Sequence, residues 1–105
     1  NNDFLEKEPD TAKAFLRALK QGYEEAIEDP DGAADILLEA SPELDEKLVK
    51  ASQEYLKDQY KAEVGQWGYI DPARWNAFYS WLNESGLSEA EIPENAGFSN
   101  DYLPE

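Results

Sequence analysis

At 105 residues the chain is long enough to bury the core of one small domain and too short for two. Its 24 acidic residues against 9 basic ones leave a formal net charge of -15, a field that repels phosphate backbones and anionic lipid, so nucleic acid is not expected as a partner. Cysteine and histidine are both absent, which removes disulfides, thiolate nucleophiles, imidazole bases and the usual zinc ligands and would leave any metal to a hard ion on oxygen.

The first residues, NNDFLEKEPD, contain neither a basic n-region nor an apolar run, and no stretch of the chain approaches the roughly 20 apolar residues of a membrane span. With no Met at position 1 or elsewhere, the N-terminus reads as a cut. Glu8-Pro9, Asp29-Pro30, Ser41-Pro42 and Asp71-Pro72 each precede a helical pattern. Proline at the first helical position lacks only an N–H that would have no intrahelical partner, and Asp or Ser before it can cap the exposed donors.

From Pro9 to Glu28, the residues Phe15, Leu16, Leu19, Tyr23, Ala26 and Ile27 recur at steps of three and four, which predicts an amphipathic helix. Gly22 lies on its apolar side, where a missing Cβ suits a tight helix crossing. DPDGAADILLEA gives a short second helix with Ala33, Ala34, Leu37 and Leu38 on one face, ending before Ser41. The third is predicted from Pro42 to about Val64, with Leu44, Leu48, Ser52, Tyr55, Leu56, Gln59 and Tyr60 along its stripe and Glu43–Lys47 and Glu46–Lys50 as i,i+4 pairs.

The fourth helix starts at Asp71, and Trp75, Phe78, Tyr79 and Leu82 share a face that predicts burial. Asn83-Glu84-Ser85-Gly86-Leu87 predicts a Schellman end, with Gly86 left-handed and Leu87 folding back on Leu82. The tail from Ile92, with Pro93, Gly97 and Pro104, reads as irregular. No strand pattern, repeat or internal linker is evident, so the fold class is all-α: about four helices plus an irregular C-terminal tail.

Catalytic chemistry is not signalled. Asp29 with Asp31, or Glu24 with Glu25, lie at a helix end or on a polar face, whereas a catalytic pair needs burial to split its pKa values. DPDGAAD fails the calcium-loop pattern, because Gly32 arrives too early and Ala33 takes a ligand position. No phosphate-binding or nucleophile-elbow glycine motif is present, and no metal or cofactor is expected. The loop Gly65-Gln66-Trp67-Gly68-Tyr69 precedes the last helix, and its glycines free the backbone to project an aromatic ring into a cleft. Trp67 and Tyr69 are therefore the candidate ligand-binding residues, against the simpler reading of a hydrophobic staple onto the next helix.

Three stretches carry a resemblance: EPDTAKAFLRALKQGYEEAIEDPDGAADILLEASPELD, then WGYIDPARWNAFYSWLNESGL, then FSNDYLPE. Together they resemble the C-terminal portion of the substrate-binding proteins of ABC importers, in the branch related to thiamine-pyrimidine-precursor binding and synthesis, beside the nitrate, sulfonate and taurine binders. The resemblance implies a two-lobed α/β protein that closes on a small ligand and delivers it to a membrane permease, from the periplasm or the cell surface. On this reading, residues 1–105 are one helical segment severed from the sheets it packs on, with an extracytoplasmic address, the ABC permease as partner and a small-molecule ligand only in the full-length protein. The family's principal ligand contacts lie in upstream segments, so Trp67 and Tyr69 are the only positions nominated here. The family's eukaryotic pyrimidine-making enzymes use histidine and iron chemistry, and the lack of His here argues against that role for this segment itself. The rival expectation is a free-standing acidic helical interaction module, docking through the face that bears Trp75 and Phe78. A severed segment should also have apolar faces left over, and self-association is expected of it.

Overall fold

A computed structural model describes residues 1–104. Its five helices, with no strand among the described residues, are α1 (Asn2–Lys7), α2 (Pro9–Glu28), α3 (Pro30–Ala40), α4 (Glu46–Leu56) and α5 (Pro72–Glu84). Three of the four prolines start helices as expected. Asp29 Oδ1 accepts from Gly32 N at 2.9 Å to cap α3, and Asp71 Oδ1 accepts from Ala73 N at 2.9 Å to cap α5. Asn1 opens the unforeseen α1, its Oδ1 accepting from Phe4 N at 2.8 Å.

Pro42 departs from the rule. Leu44 N donates to Ser41 O at 3.2 Å, so Ser41-Pro42 occupies the first two positions of a β-turn, which Ser and Pro favour as strongly as a helix start. The helix begins only at Asp45, whose extended backbone (φ -72, ψ 117) breaks the chain and whose carboxylate accepts from Leu48 N at 2.8 Å. It ends at Leu56 rather than Val64. Gln59 N turns back to Leu56 O at 2.8 Å, and Ala62 takes φ 51, which no continuing helix tolerates. The later start also removes the Glu43–Lys47 pair, while Lys50 reaches Glu46 at 3.1 Å and Asp35 of α3 at 3.6 Å.

Packing is serial. Helix α1 lies on α2, α2 on α3, and α3 most closely on α4, whereas α5 makes no substantial contact with another helix. Ala34 is fully buried between α3 and its neighbours, and Ala12 nearly so. No helix crosses at Gly22: an added Cβ there would meet nothing within 4 Å, and the expected close approach is replaced by an open apolar groove of about 390 Å³ along α2.

What joins the two halves is the 65–70 loop. Trp67 stacks on Tyr23 of α2 at 5.2 Å, and Tyr23 meets Tyr60 edge-on at 5.2 Å. On its other side the loop meets the chain's end: Gln66 Nε2 donates to Pro104 O at 2.7 Å, and Gly68, at φ +83, lies so close to Leu103 that a Cβ would sit 2.9 Å from its Cδ2.

The radius of gyration is 17.8 Å, where a compact domain of this length has about 13 Å. Accessible surface is 8116 Å², against about 6,000 Å² for a compact monomer of 11.9 kDa. Thirteen large apolar side chains stand exposed among the described residues, Tyr55 and Ile36 the most. These helices hide much less of their apolar surface in one another than a self-contained domain does.

Candidate functional site

The aromatic stretch divides by what its rings touch. Along one side of α5, Trp75 Nε1 donates to Ala96 O at 3.0 Å, Tyr79 OH donates to the same oxygen at 2.7 Å, and Phe98 packs on Trp75 at 5.3 Å. Asparagines continue this side. Asn83 exchanges two hydrogen bonds with the backbone of Ile92, and Asn76 two with Asn95, whose backbone is left-handed at φ 63. Asn100 does the same for Ile70, joining the tail to the loop. The buried side of α5 is thus covered by the irregular tail rather than by another helix.

Sequence reasoning missed these clips. Their signal was present, since Asn76, Tyr79 and Asn83 fall at i, i+3 and i+7 on one face.

Phe78, expected in the core, lies outside it, beside a comparably exposed Trp81. Phe78 is 56% exposed and Trp81 53%, stacked on each other at 5.8 Å with their planes 23° apart. Helical spacing put Phe78 with Trp75 and Tyr79 on the buried face, but the tail covers only the Trp75–Tyr79 side. The end of α5 is as the sequence predicts: Gly86 has φ +65, Leu87 N donates to Leu82 O at 3.2 Å, and Gly86 N to Asn83 O at 3.2 Å. The Leu87 side chain nonetheless stays 65% exposed.

Between the loop and α5 runs a groove of about 580 Å³, walled by Tyr69, Ile70, Trp75, Phe78 and Tyr79, with Asp71 and Arg74 at its polar edge. Tyr69 opens into it at 43% exposure. Trp67 does not line it, being committed to Tyr23. The structure therefore separates the two candidates, Tyr69 on an accessible wall and Trp67 where it fastens the loop. Such a groove offers flat apolar faces and one cation, which suits a planar ring or an aromatic side chain and supplies no acid–base pair. No group of three or more metal-ligating side chains forms among the described residues. Asp29 acts as a helix cap, and no helix is long and apolar enough to cross a membrane.

Fold and groove together define an all-helical chain, among the described residues, that leaves large apolar side chains exposed on several of its helices. Residues 1–33 match the family model described as NMT1/THI5 like. Across 95% of its length the chain is similar to the riboflavin-binding protein RibY of Chloroflexus aurantiacus, at 24% identity and covering 30% of that protein. It is 29% identical to the formylaminopyrimidine-binding protein of Halalkalibacterium halodurans, over 95% of this chain and 32% of that one. A 4-amino-5-hydroxymethyl-2-methylpyrimidine phosphate synthase of Saccharomyces cerevisiae, THI5, is 24% identical over 98% of this chain and 28% of its own. The resemblance to the thiamine-pyrimidine-precursor binding family is thus found by two comparisons. The chain spans less than a third of the length of the curated relatives it matches.

Proposed function

We propose that this chain is the helical C-terminal part of a non-enzymatic solute-binding protein, one that holds a thiamine pyrimidine precursor or a similar small heteroaromatic molecule for an ABC permease outside the cytoplasm. The observation that carries the reading is the surface: 8116 Å² accessible where about 6,000 Å² would suffice, with large apolar side chains spread over several helices. A single ligand pocket does not demand that much uncovered surface, whereas missing α/β lobes do. The formylaminopyrimidine- and riboflavin-binding relatives support the ligand class and a role in binding rather than synthesis. The yeast synthase supports the pyrimidine as the ligand class. Tyr69, on the groove wall, is proposed to face the cleft, with Trp67 holding the loop in place.

The test is a chimera in which this chain replaces the matching third of the formylaminopyrimidine-binding protein. Calorimetric titration with formylaminopyrimidine should give heat for the chimera and none for the isolated chain, since a site between lobes needs both to bury the ligand. Micromolar binding by the isolated chain, or a folded chimera without binding, would count against the proposal.

A further inference from the structure

The face of α5 turned away from the tail has a pattern of its own. Arg74, Phe78, Trp81 and Glu84 follow at steps of four, three and three, and all four are exposed. They form one outward stripe that the tail leaves uncovered, adjoining the Trp75–Tyr79 side at the groove that Arg74 and Phe78 share with those rings. Between Gln66 and Asn83 the only charged residues are Asp71 and Arg74, which cancel, so the -15 of the chain is carried elsewhere. Neither Arg74 nor Glu84 takes part in an ion pair among the described residues.

Read along the helix, the stripe is cation, aromatic, aromatic, anion. A second stripe laid antiparallel to it, about a two-fold axis near Tyr79, would set Arg74 against Glu84 of the other copy at both ends and Phe78 against its Trp81 between them. Self-complementarity of this kind is what an isologous contact requires. We infer that two copies of this chain pair through the outward stripe of α5 in an antiparallel dimer. A purely basic or purely acidic partner would leave one end of the stripe facing its own sign. Beyond a Debye length of about 8 Å at physiological ionic strength, the remaining acidic residues of the two copies are largely screened from one another.

Sedimentation equilibrium at increasing concentration tests this without any ligand. Pairing would cover the groove that Arg74 and Phe78 share with Tyr69, but the mass is read apart from the chimera titration, so either proposal can fail alone. The average mass should climb from 11.9 kDa toward twice that value. Arg74→Glu or Glu84→Arg alone should weaken the dimer about tenfold by setting like charges together at both ends. Combining the two should restore it, and Phe78→Glu should abolish it. All these positions lie on an exposed helix surface, so unchanged far-UV circular dichroism verifies that the variants fold. A mass fixed at 11.9 kDa throughout would overturn the inference. So would an association indifferent to the single reversals and to Phe78→Glu, or a double reversal that restores nothing.

Discussion

Gly86 closes α5 at φ +65, and a Cβ built on it meets no atom within 4 Å. Replacing it with Ala therefore introduces no clash, and the whole cost is backbone strain in the left-handed region, about 1–2 kcal/mol for an L-residue. Part of that is offset, because Ala narrows the unfolded ensemble by about 0.4–1 kcal/mol relative to Gly. The expected net loss is about 1 kcal/mol, a fall of about 4–8 °C in melting temperature for a chain of this size. Asn should cost less than Ala despite its poorer helix propensity, and Asn95 already holds φ 63 in the same molecule. Urea denaturation followed by far-UV circular dichroism at constant m-value measures both. If Ala proves neutral or stabilising, the helix continues through position 86, and the Leu87 N to Leu82 O bond that defines the cap is wrong.

Ala62 sits at φ 51 without being a glycine, so Ala62→Gly should stabilise by a few tenths to about 1 kcal/mol in the same denaturation assay. Trp75 is half-buried and donates to Ala96 O. Its replacement by Ala should cost about 2–3 kcal/mol, below the full core penalty, and in hydrogen exchange the amides of Ile92 and Asn95 should lose protection before those of α3 do. Asp45→Ala removes the cap of α4 and should cost about 1 kcal/mol in thermal melts. The hydrogen bond from Lys50 to Glu46, with Asp35 beside it, holds the Lys50 ammonium above the ordinary lysine value of 10.5. Its small contribution is therefore fully present below that value and fades as pH rises through the raised one, so Lys50→Gln should flatten the alkaline limb of the stability profile above pH 10.5.

The sequence carried its helices where two local signals agreed. Asp29-Pro30 and Asp71-Pro72 combine a carboxylate cap with a proline that fits the first turn, and apolar residues at steps of three and four follow, so α3 and α5 begin where expected. Ser41-Pro42 supports a turn as well as a helix, and the decision fell to Asp45, three residues on, whose cap is the stronger competitor. Periodicity placed Trp75 and Tyr79 on the covered face and misplaced Phe78 there with them, because it does not say how much of α5 is covered. That depended on a tail of low hydrophobicity, whose attachment is polar and reaches back 9 to 38 residues. Trp67 and Tyr69 are neighbours in a short loop, yet opposite fates follow from which side of the backbone each leaves, a property set by Gly68 at φ +83 and invisible in residue type alone.

Residues 88–104 carry four acidic groups and no basic one, which would ordinarily make their docking hostage to ionic strength. Yet the groups that fasten them are the amides of Asn76, Asn83, Asn100 and Gln66 together with the indole of Trp75 and the phenol of Tyr79, and none of the tail's described carboxylates takes part. Asn83 and Asn100 each engage one residue's N–H and C=O together, doing for a stretch without strands what a neighbouring β-strand would do for a sheet. Charge and attachment are thereby decoupled. Replacing any one of the tail's carboxylates by its amide should therefore change the charge the tail presents while leaving every hydrogen bond that seats it on α5 and the 65–70 loop in place.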